Sequence, residues 1–414
     1  MESITQCRVC GKGAIKSFFD LGQQPLANSL PQRVDEKENF YPLSLSWCAN
    51  CNLVQLNETI DPRELFSTYV WVTGTSKGAK EFADKFYDEL TIRTPDPKKG
   101  YVLEIASNDG TFLQPFLKNG HDVLGIDPAK NVVEMALKAG VPTKCAFWGR
   151  EEAEKIVAER GPAKIIFARN VMAHVADAGD FVGGLNLALS DDGVVAIEPH
   201  YARNILEGLQ YDSIYHEHLC YFTLKSLEYL LSSAGLFIFD VAASPISGGA
   251  IIVYARKRQM ANSKELMAWR ERELENKTNE FASWENFAKR CFEHKKKLLA
   301  LLGAHGGSGK VVGWGASARS STLLNFCGID SATVSSIIDL NPLKQGKFTA
   351  GNHIPIVAPE VALASDPSLV FVTGWNFAGE IIDMLRNKYG FRGPCLVPLP
   401  NEPRIVTGDM RQEI

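Results

Sequence analysis

The spacing of apolar and polar positions changes several times along the chain, and the changes divide it. From Tyr101 onward short apolar runs read as buried strands: 101–105, 122–127, 164–168 and 193–198. Segments with helical spacing lie between them, at 112–118 and about 131–138. Strands alternating with helices predict a parallel, doubly wound sheet. An antiparallel-looking pair, 236–241 and 250–255, closes the segment. Residues 264–302 are dense in charge and helix formers, with no Gly or Pro before Gly303, and predict one long connecting helix. After the glycine-rich run 304–310, strands at 310–315, 334–339, 353–356 and 369–373 predict a second α/β domain. Ahead of the first sheet, a helix over about 77–91 is followed by the loop TPDPKKG (94–100), and residues 1 to about 65 are rich in turn formers.

Composition agrees with an ordinary globular chain. It has 414 residues, 45% hydrophobic and 22% charged, enough for two or three domains. A net charge of −4 with no basic stripe offers nothing to a nucleic-acid backbone. The opening MESITQCRVC lacks a secretory pattern, and no apolar run approaches the ~20 residues of a membrane helix, so the expected location is the cytosol.

The cysteines change the picture. Four of the nine form two pairs, Cys7-x-x-Cys10 and Cys48-x-x-Cys51. Two such pairs complete a tetrahedral four-thiolate site, the closed and structural kind for Zn²⁺. A metal there stabilises a unit too small to hold itself together. The other five are expected to be inert packing residues.

The first strand-to-helix turn, VLEIASNDG (102–110), carries Glu104, Ala106, Asn108, Asp109 and Gly110. Asp127 and Pro128 follow the second strand. A carboxylate ending the second strand suits ribose hydroxyls. The turn has one glycine where a dinucleotide loop has three, and its acidic residues suit a cationic sulfonium and amino group better than a pyrophosphate. That points to S-adenosylmethionine rather than NAD.

After the next strand, Asn170 and His174 reach the carboxyl edge of the sheet, where ligands bind in such folds. The denser cluster is DSIYHEHLCYF (212–222). Four of the eight histidines are His174, His200, His216 and His218. Tyr215, Glu217 and two histidines in succession form a proton-handling set. A second zinc site on His216, Glu217 and His218 is a poor reading, because the spacing is not the one that aligns two ligands on a helix.

Taken in order, CRVC, WCANC, DLGQQPLAN (20–28), LEIASNDGTFL (103–113), NVMAHV (170–175), YDSIYHEHLCYF (211–222), SGGAIIVYA (247–255), LLGAHGGSGKVVGWGAS (301–317), WNFAGEI (375–381) and VPLP (397–400) resemble the zinc-containing nucleotide-sugar C-methyltransferases over essentially the whole chain. The resemblance implies a zinc-binding domain (1–75), a Rossmann-like class I methyltransferase domain (76–258), a helical linker (259–303) and a C-terminal α/β domain that holds nucleotide sugar (304–414). It implies C3 methylation of a 4-keto-deoxysugar on a nucleotide diphosphate, with His218 as base and Tyr215, Glu217, His174 and Tyr69 lining the site. It further implies substrate contacts from Ser317, Arg319 and Ser320, with Lys344 and Lys347 weaker candidates, and no obligate assembly. The sequence departs from the family pattern at Ala350 and in YVWVTGTS (69–76), which leaves the sugar, the nucleotide and the methylated carbon open. Three other readings stand beside this one. They are an NAD-dependent sugar oxidoreductase using Gly313, Gly315 and Asp339, a zinc-containing methyltransferase with a different acceptor, and a zinc-ribbon nucleic-acid binder.

Overall fold

The computed structural model describes residues 1–61, 64–65, 72–245, 249–307 and 309–408. Its largest sheet has seven strands: β1 (Tyr101–Ile105), β2 (Asp122–Asp127), β3 (Thr143–Cys145), β4 (Ala163–Arg169), β5 (Leu189–Glu198), β6 (Phe237–Ser244) and β7 (Ala250–Arg256). They lie in the order 6-7-5-4-1-2-3, with β7 antiparallel to both neighbours. Alternate residues serve the two faces. Val102, Ile165, Phe167, Val194 and Ala196 pack with Phe82 and Phe86 of the helix Lys77–Arg93. Leu103, Ile105, Ile166, Ala168 and Val195 pack with the helices Arg150–Arg160 and Ala178–Ala188. Both faces are covered, so the strands read as unbroken apolar runs. Successive connections leave β1 toward opposite sides of the sheet. That opens a crevice at the carboxyl ends of β1 and β4.

A second sheet holds β8 (Val311–Trp314), β9 (Ser336–Ile338), β10 (Ile356–Val357), β11 (Leu369–Phe371), β12 (Cys395–Val397) and β13 (Arg404–Val406), ordered 10-9-8-11-12-13. It is parallel except for β13. The fold is therefore the expected α/β architecture with two Rossmann-like sheets.

The N-terminal unit is more ordered than its turn-rich sequence suggests. Strands Ile15–Pro25, Phe40–Cys48 and Val54–Leu56 form an antiparallel sheet. Its fourth strand, Cys220–Tyr221, comes from far along the chain and pairs with Val54–Gln55. Sequence periodicity does not reveal that pairing.

The linker also differs from expectation. In place of one helix there are two, Lys264–Glu275 and Phe281–Gly306, the second running through Gly303. Between them Lys277 takes a left-handed φ of 52°. The break is set by tertiary partners. Buried Glu273 accepts from the Leu224 amide, the Tyr201 hydroxyl and Asn279 Nδ2, and the Trp284 indole donates to the Thr278 carbonyl. Trp284 is fully buried against Phe18 and Phe287, so the second helix joins the N-terminal sheet to the rest of the core. Among the described residues no helix is long and apolar enough to cross a membrane. Trp284→Ala is expected to destabilise the fold by about 3–5 kcal/mol, read by denaturant unfolding.

Candidate active site

The site begins with the four thiols. Cys7 and Cys51 sulfurs are 3.5 Å apart, those of Cys10 and Cys48 are 3.6 Å apart, and all four lie within 4.8 Å of one another. Tetrahedral Zn²⁺ with bonds of ~2.3 Å needs sulfurs about 3.8 Å apart, so the donor set fits the metal. Each pair is followed by a left-handed residue, Gly11 at φ 65° and Asn52 at φ 61°. Their amides turn back to the carbonyls of Cys7 and Cys48. The zinc unit thus consists of two matching knuckles beneath a small sheet.

That sheet grips the loop ahead of Cys220. His216 Nε2 lies 3.0 Å from the Pro42 carbonyl, and its ring packs edge-on to Tyr41. His216 therefore faces the zinc unit and takes no part in a metal cluster with its neighbours. Glu217 is buried and accepts from Asn28 Nδ2 at 2.5 Å. Burial pushes its carboxyl up to about 7. The C-terminal domain holds the other end of the same loop. Arg319 donates twice to Asp212 at 2.9 Å, Trp375 Nε1 donates to Asp212 at 2.6 Å, and Thr322 donates to the Ile214 carbonyl at 2.8 Å.

Between these two grips lies His218, 3% exposed. Its Nδ1 is 2.9 Å from the Ser213 carbonyl, which can only accept, so Nδ1 carries the proton. Nε2 is then the acceptor, and the Tyr215 hydroxyl donates to it at 2.8 Å. His174, on a short turn after β4, has Nδ1 2.7 Å from the Glu217 carbonyl. The His174 and His200 rings stand 4.9 and 4.7 Å from that of His218. Burial holds His218 well below the usual imidazole range and pushes His174 down to about 4. All are neutral near pH 7.

The cofactor crevice lies beside this cluster. Ala106 and Asn108 have φ of 57° and 51°, and Gly110 has φ of 77°. A Cβ on Gly110 would meet Val141 at 2.9 Å, which accounts for the single glycine. Asp127 accepts from the amides of Asn108 and Ala129, and Pro128 follows it at the half-buried rim. Each oxygen keeps a second lone pair. Burial raises both Glu104 and Asp127, and Arg169 opposes that effect at Glu104. Glu104 Oε2 and Asn170 Oδ1 are buried without a hydrogen-bond partner. Two unspent acceptors at the switch point fit a cationic amino-acid moiety. Thr73 and Gly74 amides donate to Asn108 and Asp109, strapping the loop from outside.

The four C-terminal candidates have protein partners. Ser317 and Ser320 close a capping box on each other at the start of the helix Ala318–Cys327. Arg319 is committed to Asp212, and Lys344 donates to the Ala316 carbonyl and to Asp339. Asp339 also accepts the Ala316 amide. Tyr69 lies outside the described residues. Asn28, Asp212 and Trp375 fall inside motifs visible in the sequence, but no local pattern marks them as partners of the histidine loop.

Fold and site together define a methyltransferase built on a zinc-stabilised scaffold. Three family models match in succession: a zinc binding domain over 7–66, a methyltransferase domain over 79–240 and a C-methyltransferase C-terminal domain over 245–400. The C-methyltransferase NovU of Streptomyces niveus is 32% identical over 99% of this chain and 98% of its own length. The chain belongs to the zinc-containing, S-adenosylmethionine-dependent C-methyltransferase family. Among solved structures, magnesium protoporphyrin IX methyltransferase from Synechocystis PCC 6803 is 12% identical, covering 44% of this chain and 80% of that one with a TM-score of 0.34. A methyltransferase from Mesorhizobium loti is also 12% identical, covering 41% and 96% with a TM-score of 0.33.

Two outcomes follow from this geometry. Cys48→Ser is expected to lower the bound zinc and to cut methyl transfer at least tenfold, because the sheet that carries Cys220 loses its staple; metal content and turnover read it together. Glu217→Gln is expected to raise the melting temperature at pH 8 and leave it unchanged at pH 4. The folded carboxyl keeps its proton up to about 7 while the unfolded one releases it near 4.5, so stability falls as pH rises through that window in the native protein and not in the variant.

Proposed function

We propose that the protein methylates C3 of a 4-keto-deoxysugar carried on a nucleotide diphosphate. The observation that carries this reading is the pair of buried His218 and half-buried Tyr215, a neutral imidazole with its acceptor nitrogen turned to a phenol at the edge of the cofactor crevice. A ketone acidifies the adjacent C–H, and a neutral base in a water-poor pocket removes that proton to leave an enolate. His218 Nε2 is the basic atom, because Nδ1 carries the ring proton on Ser213; the Tyr215 hydroxyl, which donates to Nε2 here, turns aside for it to take the C–H proton. Tyr215 is the second proton-handling group, and Glu217, raised to about 7, can hold or release a proton near neutrality. His174 lines the pocket and braces the Glu217 backbone. Tyr69 belongs to the same reading.

When bound, S-adenosylmethionine supplies an electrophilic methyl group for the enolate carbon. Glu104 and Asn170 are suited to its amino-acid end, Asp127 and Pro128 to its ribose and base, and Ala106, Asn108, Asp109 and Gly110 to the turn around it. The nucleotide is placed over β8 and the start of the helix Ala318–Cys327, near Ser317, Ser320 and Lys344. There a helix N-terminus favours phosphate. Arg319, paired with Asp212, reaches that region from the loop side. A cytosolic enzyme, monomeric or weakly associated, is part of this reading.

Labelled S-adenosylmethionine offered with a panel of nucleotide 4-keto-6-deoxysugars tests it. Label should enter a sugar product with the native protein, and His218→Ala should lose about 10²–10⁴-fold in turnover. Cofactor binding without transfer to any ketone would move the acceptor elsewhere.

A further inference from the structure

His200 follows immediately on β5, at the carboxyl edge of the sheet. Its backbone is fixed by a bridge to Ala250 and by the Ile251 amide, which donates to the Pro199 carbonyl. Its ring stands edge-on to His218, with an interplanar angle of 84°. The donors around it are already engaged. His218 gives its N–H to Ser213, His174 gives its Nδ1 proton to Glu217, and the Tyr215 hydroxyl points at His218 Nε2. The half-buried His200 ring has no hydrogen bond to any described residue. Burial, with Arg319 and His174 nearby, pushes it down to about 3, so it is neutral. A neutral imidazole carries one N–H in either tautomer. In His200 no described residue takes that donor, and the ring lies against His218, the base of the proposed reaction.

We propose that His200 is a catalytic residue whose N–H donates to the ketone oxygen of the substrate and to the enolate oxygen formed from it. The inference rests on the reading that the acceptor is a ketone. The step balances with S-adenosylmethionine as the one co-reactant, which gives up its methyl group and leaves as S-adenosylhomocysteine. The C–H electron pair moves into the enolate, the proton goes to His218, and the negative charge gathers on the oxygen facing His200. After the carbon takes the methyl group the carbonyl is restored, with one methyl gained and one proton lost. A neutral donor suits this task better than an imidazolium. An imidazolium would hand its proton to the oxygen and leave an enol, a poorer carbon nucleophile. A preorganised donor aimed at developing charge contributes most in a site that excludes water.

The test compares native protein, His200→Phe and His200→Gln on the same keto-sugar panel. It also follows deuterium uptake from heavy water beside the ketone, with S-adenosylhomocysteine bound. Phe keeps the packing on His218 and removes the donor, whereas Gln changes the packing and keeps an N–H. The Phe variant is expected to lower kcat and exchange by about 10²–10³-fold with unchanged S-adenosylmethionine affinity, and Gln to recover at least tenfold of that loss. Near-native turnover by the Phe variant, or more by Phe than by Gln, would overturn the proposal and leave the ketone reading intact. A native protein inactive on every ketone would remove that reading and this proposal with it. If Phe does not fold, His200→Ala with added imidazole replaces it; restored exchange supports the role, and no restoration overturns it.

Discussion

The loop from Gln210 to Phe222 is the element on which the rest depends, because it is held from both sides. The zinc-bearing sheet takes its end as a strand and binds His216 and Glu217 through Pro42 and Asn28. The C-terminal domain takes its beginning through Asp212 and Ile214. The central sheet supplies His174 and His200 from β4 and β5 against the middle. Its own secondary structure is one short helical turn, Tyr211–Ser213, and the strand Cys220–Tyr221, and neither fixes the histidines between them. Three separate units fix those histidines instead.

This arrangement gives a closed four-thiolate site a structural purpose. Four thiolates leave no open coordination position, so the ion cannot act on substrate. Its effect is mechanical. The knuckles anchor strands whose free edge would otherwise end at Val54–Leu56, and that edge receives Cys220–Tyr221. Fully buried Trp284 and its neighbour Phe287 then tie the same sheet to the linker helix.

Burial keeps the clustered imidazoles uncharged. No carboxylate is hydrogen-bonded to His218 or His200 among the described residues, and burial keeps both imidazoles neutral. Glu217, next to His218 in the chain, has its carboxyl turned to Asn28 and gives its backbone carbonyl to His174. The charged pair Arg169–Glu198 sits under the cofactor crevice instead, with the guanidinium over Phe112.

The sequence alone determined the parts that follow from local periodicity and spacing. The apolar runs at 101–105 and 122–127 became β1 and β2 because a strand buried on both faces can only be apolar. The two CxxC pairs converge because each is a self-contained turn around one ion. Tertiary structure decided the rest. Nothing local tells that Cys220–Tyr221 joins the N-terminal sheet, that Glu273 and Trp284 break the linker helix near Lys277, or that Arg319 is taken by Asp212. These are pairings between residues about fifty to more than a hundred apart, plus a helix break enforced by such pairings. His200, one histidine among eight, shows the same limit. Its residue type is plain in the sequence, but only the fold sets its ring against His218.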